Sequence, residues 1–385
     1  MKTRLFLAAL LSVGLLAAHA AEPRGTGDLG LAVERATGSV LRLDTTRRQS
    51  IGRTEGLGDL SHASVVFSRD ERYAYVFGRD GGLTKLDMLD GRIAKRVIQS
   101  GNAIGGAISQ DGRWIAVGNY TPGGVKIFDA DSLELAVDIP TGSKVVGLED
   151  APGNRFVFSL WDKGEIWVAD LSEDPKQPKL TKFAGIGTQP YDALVSPDGR
   201  WYVAGLYGEN GLAVLDLWNP EAGVKRALPD YGRGEEKLPV YKMPHLETWA
   251  VVGNLAFIPG VGRHEVVIVD VSTWKQIGVI PVAGQPVFVM AQPDGRRLWI
   301  NFAFPHYDTV QIVDVPTQQI VRTLTPGKAV LHMEFTPRGE AVWLSVRDGN
   351  RLEIYDTARF EKRAELPAEQ PSGIFFTARA HRMGL

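Results

Sequence analysis

A short turn phrase recurs along this chain at intervals of about 40 residues, and repetition at that period restricts the fold more than any other feature. Ser68-Arg69-Asp70-Glu71-Arg72 leads into Tyr73 to Phe77. Ser109-Gln110-Asp111-Gly112-Arg113 leads into Trp114 to Val117, and Ser196-Pro197-Asp198-Gly199-Arg200 into Trp201 to Ala204. Gln292-Pro293-Asp294-Gly295-Arg296 and Thr336-Pro337-Arg338-Gly339-Glu340 introduce further apolar runs. Weaker copies stand at Asp150 to Arg155 and at Trp249 to Asn254. Each phrase places Pro, Asp and Gly between two runs rich in strand formers, which is hairpin chemistry.

A third run then closes on an aspartate, at Asp87, Asp129, Asp170, Asp216, Asp270, Asp314 and Asp356. A fourth, more polar run follows, such as Ile93 to Gln99 or Ile320 to Leu324. Long amphipathic helical patterns are absent. Four strands per repeat predict an all-β chain of propeller blades; a β-solenoid fits less well, because its repeats are usually shorter. Seven complete blades run from residue 63 to about Ser372. The N-terminus keeps three strands, at Leu29 to Glu34, Ser39 to Asp44 and Arg48 to Arg53, and the C-terminus one, at Gly373 to Thr377. Together they supply an eighth four-stranded blade, which closes the ring and removes its exposed edges.

The ends and the composition bound the setting. Lys2 and Arg4, the apolar run Leu5 to Ala17 and Ala18-His19-Ala20 predict a signal peptide over residues 1–20, cleaved after Ala20. The apolar run is shorter than the roughly 20 residues a membrane span needs, and no membrane anchor is expected. The propeller then occupies residues 21–385. The chain has no cysteine, which excludes disulfides, thiolate metal sites and covalent c-type haem. An exported chain without disulfides points to the periplasm, where a large core alone carries the stability. The net charge of -2 and the dispersed basic residues give no nucleic-acid footprint.

Aligning the blades on the turn phrase separates scaffold from exceptions. The residues just before each innermost strand form the mouth of the central funnel. His62 stands there in the first full blade, Tyr191 and Asp192 in the fourth, His245 in the fifth and His332 in the seventh. Convergence of histidines from separate blades favours a ligand pocket. A large planar ligand suits so wide a mouth, with one histidine on its iron and others in acid–base roles. Arg79 and Arg347 both begin Arg-Asp-Gly after a second strand and could clamp carboxylates or serve as ordinary turn ion pairs. His306 ends a second strand and could also face the mouth, whereas His264 is expected in an exposed turn. Other catalytic signals are weak. His264-Glu265-Val266-Val267 lacks the second histidine of a zinc protease helix, and Gly185-Ile186-Gly187 lacks the third glycine and helix of a dinucleotide site.

The stretch Ser61-His62-Ala63-Ser64 to Tyr73, with Val76-Phe77-Gly78-Arg79-Asp80-Gly81, resembles the haem d1-binding propeller of cytochrome cd1 nitrite reductase. Gly118-Asn119-Tyr120-Thr121-Pro122 and Gly373-Ile374-Phe375-Phe376 resemble segments of the same family. The resemblance covers the whole chain after the signal. It lacks the cytochrome c domain of the reductase, and so looks like the cysteine-free NirF family of haem d1 biosynthesis. That resemblance implies haem d1 or a late precursor as ligand, His62 as its iron ligand, and Arg79, Arg347 and Tyr120 as cofactor-binding residues. His245, His332, Tyr191 and Asp192 would then handle protons during a late side-chain modification, with dehydrogenation or oxidation as the implied step. Other haem d1 biosynthesis proteins and cytochrome cd1 nitrite reductase are the implied partners. A carrier without chemistry of its own, and a generic interaction propeller, remain as alternatives.

Overall fold

A computed structural model describes residues 26–232, 249–260 and 262–384. It forms eight four-stranded antiparallel sheets arranged as the blades of a propeller. Blades 1 to 8 are named here in ring order. Their innermost strands are Ser64–Phe67, Asn102–Ile108, Val145–Ala151, Pro190–Val195, Ala250–Val252, Pro286–Ala291, Val330–Phe335 and Pro371–Phe376. Blade 8 is the composite expected from the two ends. Its inner strand pairs with Leu29–Glu34, and Ser39–Asp44 and Gln49–Thr54 complete it.

The terminal strands differ in their bounds from the sequence expectation, Gln49–Thr54 against Arg48 to Arg53 and Pro371–Phe376 against Gly373 to Thr377. The outer strand of blade 8 starts at Gln49, one residue late, because Arg48 is a turn residue with a φ of 54°. The closing strand stops at Phe376, because Thr377 turns away to begin a short 3-10 turn and donates its hydroxyl to the Thr26 carbonyl at 2.8 Å.

The repeated phrase has a local cause where it is strongest. The serine hydroxyl donates to the aspartate in blades 1, 2 and 4, and the amide of the arginine two residues on donates back to that carboxylate. Gly112, Gly199, Gly295 and Gly339 sit in the left-handed region at φ of 70–73°, which glycine adopts at least cost. The aspartate that ends each third strand opens the next turn. Asp87 Oδ1 accepts the amides of Leu89 and Asp90, and Asp216, Asp270 and Asp356 repeat the pattern. The turn arginine also reaches this aspartate, as Arg72 to Asp87 at 2.6 Å and Arg200 to Asp216 at 2.9 Å. Strand ends are thus pinned from both sides.

The core lies between blades. Leu29–Glu34 is buried at every position, whereas the outer strand Gln319–Leu324 is exposed at all but its last. Among the described residues no helix is long and apolar enough to cross a membrane. The signal-peptide expectation for residues 1–20 lies outside the described residues.

Candidate functional site

The two ends of the central axis differ in construction. One end carries the turn phrases and is covered by the C-terminal turn Thr377–His381. There Arg379 Nε donates to Glu334 Oε1 at 3.1 Å, its Nη2 reaches Oε2, and the side chains are 4% and 2% exposed. Arg69 donates to the carbonyls of Ile108, Ser109 and Ala380, and Asp150 accepts the amide of Gly384 at 2.9 Å. Sequence reasoning missed this plug; its signal was Glu334, the carboxylate inside the inner strand Val330–Phe335, whose other residues besides His332 are apolar.

The other end is the mouth, where the segments entering each inner strand meet the turns after each second strand. His62 is half-buried directly before the inner strand of blade 1, at the place the sequence indicates. Its loop is held on both sides. The Leu57 amide donates to the Gly38 carbonyl of blade 8 at 3.2 Å, and the Arg79 amide of blade 1 donates to the Asp59 carbonyl at 2.8 Å. Asp59 Oδ1 accepts the Ser61 amide at 2.8 Å, and Arg35 Nη2 donates to the Ser61 carbonyl. Ser61 hydrogen bonds hold the Asp59 carboxyl below its usual range, with Arg79 and Arg35 adding to the effect. Burial lowers the Arg35 guanidinium, nearby Arg347 lowers it further, and Asp59 opposes both. The structure therefore adds Arg35 and Asp59 to the sequence-predicted set and brings Arg79 and Arg347 to the same arc. Arg347 also donates to its neighbour Asp348 at 2.7 Å, so the turn ion pair exists alongside.

Tyr120 and Tyr191 share a hydrogen bond between blades 2 and 4. Burial pushes both hydroxyls up, Asp192 adds to this, and Arg79 opposes it. Four sequence-predicted residues, Arg79, Tyr120, Tyr191 and Asp192, are thus electrostatic neighbours. Tyr191 and Asp192 lie within the inner strand Pro190–Val195 rather than before it. Beside them Trp161 lies 5.4 Å from Tyr191 and 4.9 Å from Tyr207 between ring centroids, and Tyr191 lies 6.1 Å from Tyr207.

His332 also lies within its inner strand, 7% exposed. Its Nδ1 accepts the Ile374 amide of blade 8 at 3.3 Å, so the proton of the neutral ring sits on Nε2. Its ring meets Phe288 of blade 6 at 5.1 Å and Phe375 of blade 8 at 5.7 Å. An inner strand has one edge without a neighbour strand, and His332 satisfies a donor on that edge. His332→Leu should cost about 1–3 kcal/mol by leaving this buried amide unpaired, read as a lower denaturant midpoint with an unchanged slope. His264 and His306 meet at 6.3 Å, at the turns of blades 5 and 6, with His264 exposed as expected. Of the three histidines expected to converge, His245 lies outside the described residues, His62 stands before its inner strand and His332 is buried within its own.

Among the described residues no group of three or more His, Asp or Glu side chains could hold a metal ion. The chain matches the model of the cytochrome D1 heme domain over residues 24–380. It is 60% identical to Protein NirF of Pseudomonas aeruginosa, covering 97% of this chain and 98% of that one. It is 59% identical to Protein NirF of Stutzerimonas stutzeri, covering 98% of each. Among solved structures it is similar to the dihydro-heme d1 dehydrogenase NirN in complex with DHE, at a TM-score of 0.82 and 28% identity, covering 94% of this chain and 78% of that one. With a family match across the whole propeller and NirF relatives alike from end to end, this chain belongs to the NirF family of cytochrome d1 haem-domain propellers.

Proposed function

We propose that this chain binds haem d1 or a late precursor in the propeller mouth and takes part, in the periplasm, in a late side-chain modification during haem d1 biosynthesis. The observation that carries the proposal is the juxtaposition of one clamped histidine, His62, with an arc of arginines and a hydrogen-bonded tyrosine pair. These residue types fit the ligand. An iron tetrapyrrole fills most of its metal's coordination sphere itself, needs one axial donor, and carries carboxylates that arginine binds bidentately. The Nδ1 atom of His62 is shut off from solvent, which leaves Nε2 as the nitrogen for the iron. Arg79 and Arg347 would hold carboxylates, and Tyr120 would donate a hydrogen bond. Tyr191, Asp192 and His332 would position or transfer protons, and His245 is proposed with them from its place in the sequence.

When bound, the macrocycle supplies the redox-active iron and the side chain that reacts. The protein orients that side chain and controls its protons. A dehydrogenation removes two electrons and two protons, so it also requires an electron acceptor. Other haem d1 biosynthesis proteins and cytochrome cd1 nitrite reductase are the proposed partners.

A carrier reading has one observation in its favour. Burial raises the Tyr120 and Tyr191 hydroxyls, so both stay protonated at neutral pH and suit holding a ligand by hydrogen bonds; that leaves Tyr191 only the role of proton donor in the enzymatic reading. Incubation with dihydro-haem d1 and an artificial electron acceptor separates the two. A product lighter by two hydrogens in mass spectrometry supports an enzyme, and unchanged ligand supports a carrier. Binding is tested by titrating the purified chain with haem d1. The visible band of the bound ligand should shift in His62→Ala, and the shift should reverse on adding imidazole. A spectrum identical to that of the unsubstituted chain would refute the ligation.

A further inference from the structure

The outer strands of the blades differ in how they end their sheets. In blades 1, 2, 5, 6, 7 and 8 the pairing of the third and fourth strands shifts register partway, as between Ile268 and Val269 in blade 5. Such a bulge twists an edge and makes it a poor template for another strand. Blades 3 and 4 have no shift. The outer strand of blade 4, Val224–Ala227, is only four residues long. That of blade 3, Lys179–Ala184, has six residues, and each is paired in register with Glu165–Asp170. Among the described residues, blade 3 presents the longest regular outer edge.

This edge is held from behind. Leu180 packs against the core between blades 2 and 3, and Phe183 against the core between blades 3 and 4. Lys182 lies over the Trp167 ring at 3.8 Å. A strand already held in place loses little freedom when a partner adds to it. Its charge is one-sided. Lys163, Lys176, Lys179 and Lys182 are all exposed, and none forms an ion pair. By contrast, Lys362 on the outer strand of blade 7 pairs with Glu365, and Arg53 on that of blade 8 pairs with Glu34. The acids of the blade 3 hairpin are engaged or stand aside. Glu165 Oε2 accepts from Trp167 Nε1 at 2.7 Å. Asp170, opposite Lys179 in register, accepts the Ser172 amide at 2.9 Å. Glu173 and Asp174 lie in the loop before the strand.

Lysines on an open edge repel a second copy of the same strand and attract an acidic one. We propose that the outer edge of blade 3 is a docking site for an acidic, extended segment of a partner protein, which joins the sheet as a fifth strand. Backbone hydrogen bonds supply the affinity, and Lys179 and Lys182 select an acidic strand. The site lies on the outer wall of the ring, so docking leaves the mouth open.

The test uses the full chain and a capped octapeptide of alternating valine and glutamate. Adding the peptide should slow hydrogen exchange at alternate amides of Lys179–Ala184, because only every second amide of an edge strand points outward. The double variant Lys179→Glu with Lys182→Glu should bind this peptide at least about tenfold more weakly and accept instead one of alternating valine and lysine. A third peptide, with proline in place of each valine, keeps the acidic charge but cannot pair as a strand, so exchange at these amides should stay unchanged. Thermal unfolding checks that the double variant is folded. Equal protection by the proline peptide would reduce the site to loose charge attraction and overturn strand addition. Protection of the same amides that grows with protein concentration, without peptide, would mean that a second copy pairs there and would overturn the acidic occupant. Exchange unaltered by the valine–glutamate peptide would refute the docking site, while the ligand chemistry proposed for the mouth would stand.

Discussion

A chain ending at Gln370 should fail to fold, accumulating in the insoluble fraction and giving no cooperative unfolding transition. The missing piece is the inner strand of blade 8 and the turn that follows it. Ile374, Phe375 and Phe376 are all buried, and each buried side chain of this size contributes about 1.5–3 kcal/mol. The strand also pairs with Leu29–Glu34, and its loss leaves that strand with an unpaired edge facing the axis. The three side chains alone approach the total stability of an ordinary domain, about 5–15 kcal/mol. Adding residues 371–385 back as a separate peptide should restore soluble, cooperative folding if closure is the deficit. A truncated chain that unfolds with the midpoint of the full chain would show that seven blades suffice.

Arg379→Ala should destabilise the folded chain by about 3–5 kcal/mol, because it strands the Glu334 carboxylate in a buried site with its main counter-charge removed. Both side chains of the pair are almost wholly inaccessible, so solvent screens little of the loss. Arg379 also lies over the Phe375 ring at 5.0 Å, and that contact is lost with it. The double variant Arg379→Met with Glu334→Leu should recover most of the stability, because it removes the stranded charge and keeps the volume. Denaturant midpoints of the two variants measure this directly. A single-variant loss below about 1 kcal/mol would mean that water reaches the pair.

Much of the architecture is legible because a blade cannot bury its own faces. Hairpin chemistry must recur wherever a strand turns, and an aspartate must recur wherever a third strand ends, so both leave a visible rhythm. Blade 8 is legible by subtraction, since three strands at one end and one at the other leave no other partner. The mouth is less so. His62, Arg79, Tyr120 and Arg347 are visible because they stand in segments that resemble a known family or interrupt the repeat. Arg35 was missed because its blade lacks the turn phrase that served as the ruler. Tyr191, Asp192 and His332 were placed one element too early, since the entry to an inner strand has no sequence marker of its own.

The sequence by itself determined the strand count, the hairpins, the composite closing blade and the family to which the chain belongs. The strands, hairpins and closing blade follow from local turn chemistry and from a repeat that any neighbouring blade can satisfy, and the family from the resemblance of the His62 to Gly81 stretch. Only the tertiary structure decided which side chains share the mouth. Ring closure brings Arg35 beside Arg347, although some three hundred residues separate them along the chain. It likewise joins Glu334 to Arg379 and His332 to the Ile374 amide. The physical reason is that the axis is a place where all the blades meet, and the neighbours there are set by angle around the ring rather than by distance along the chain.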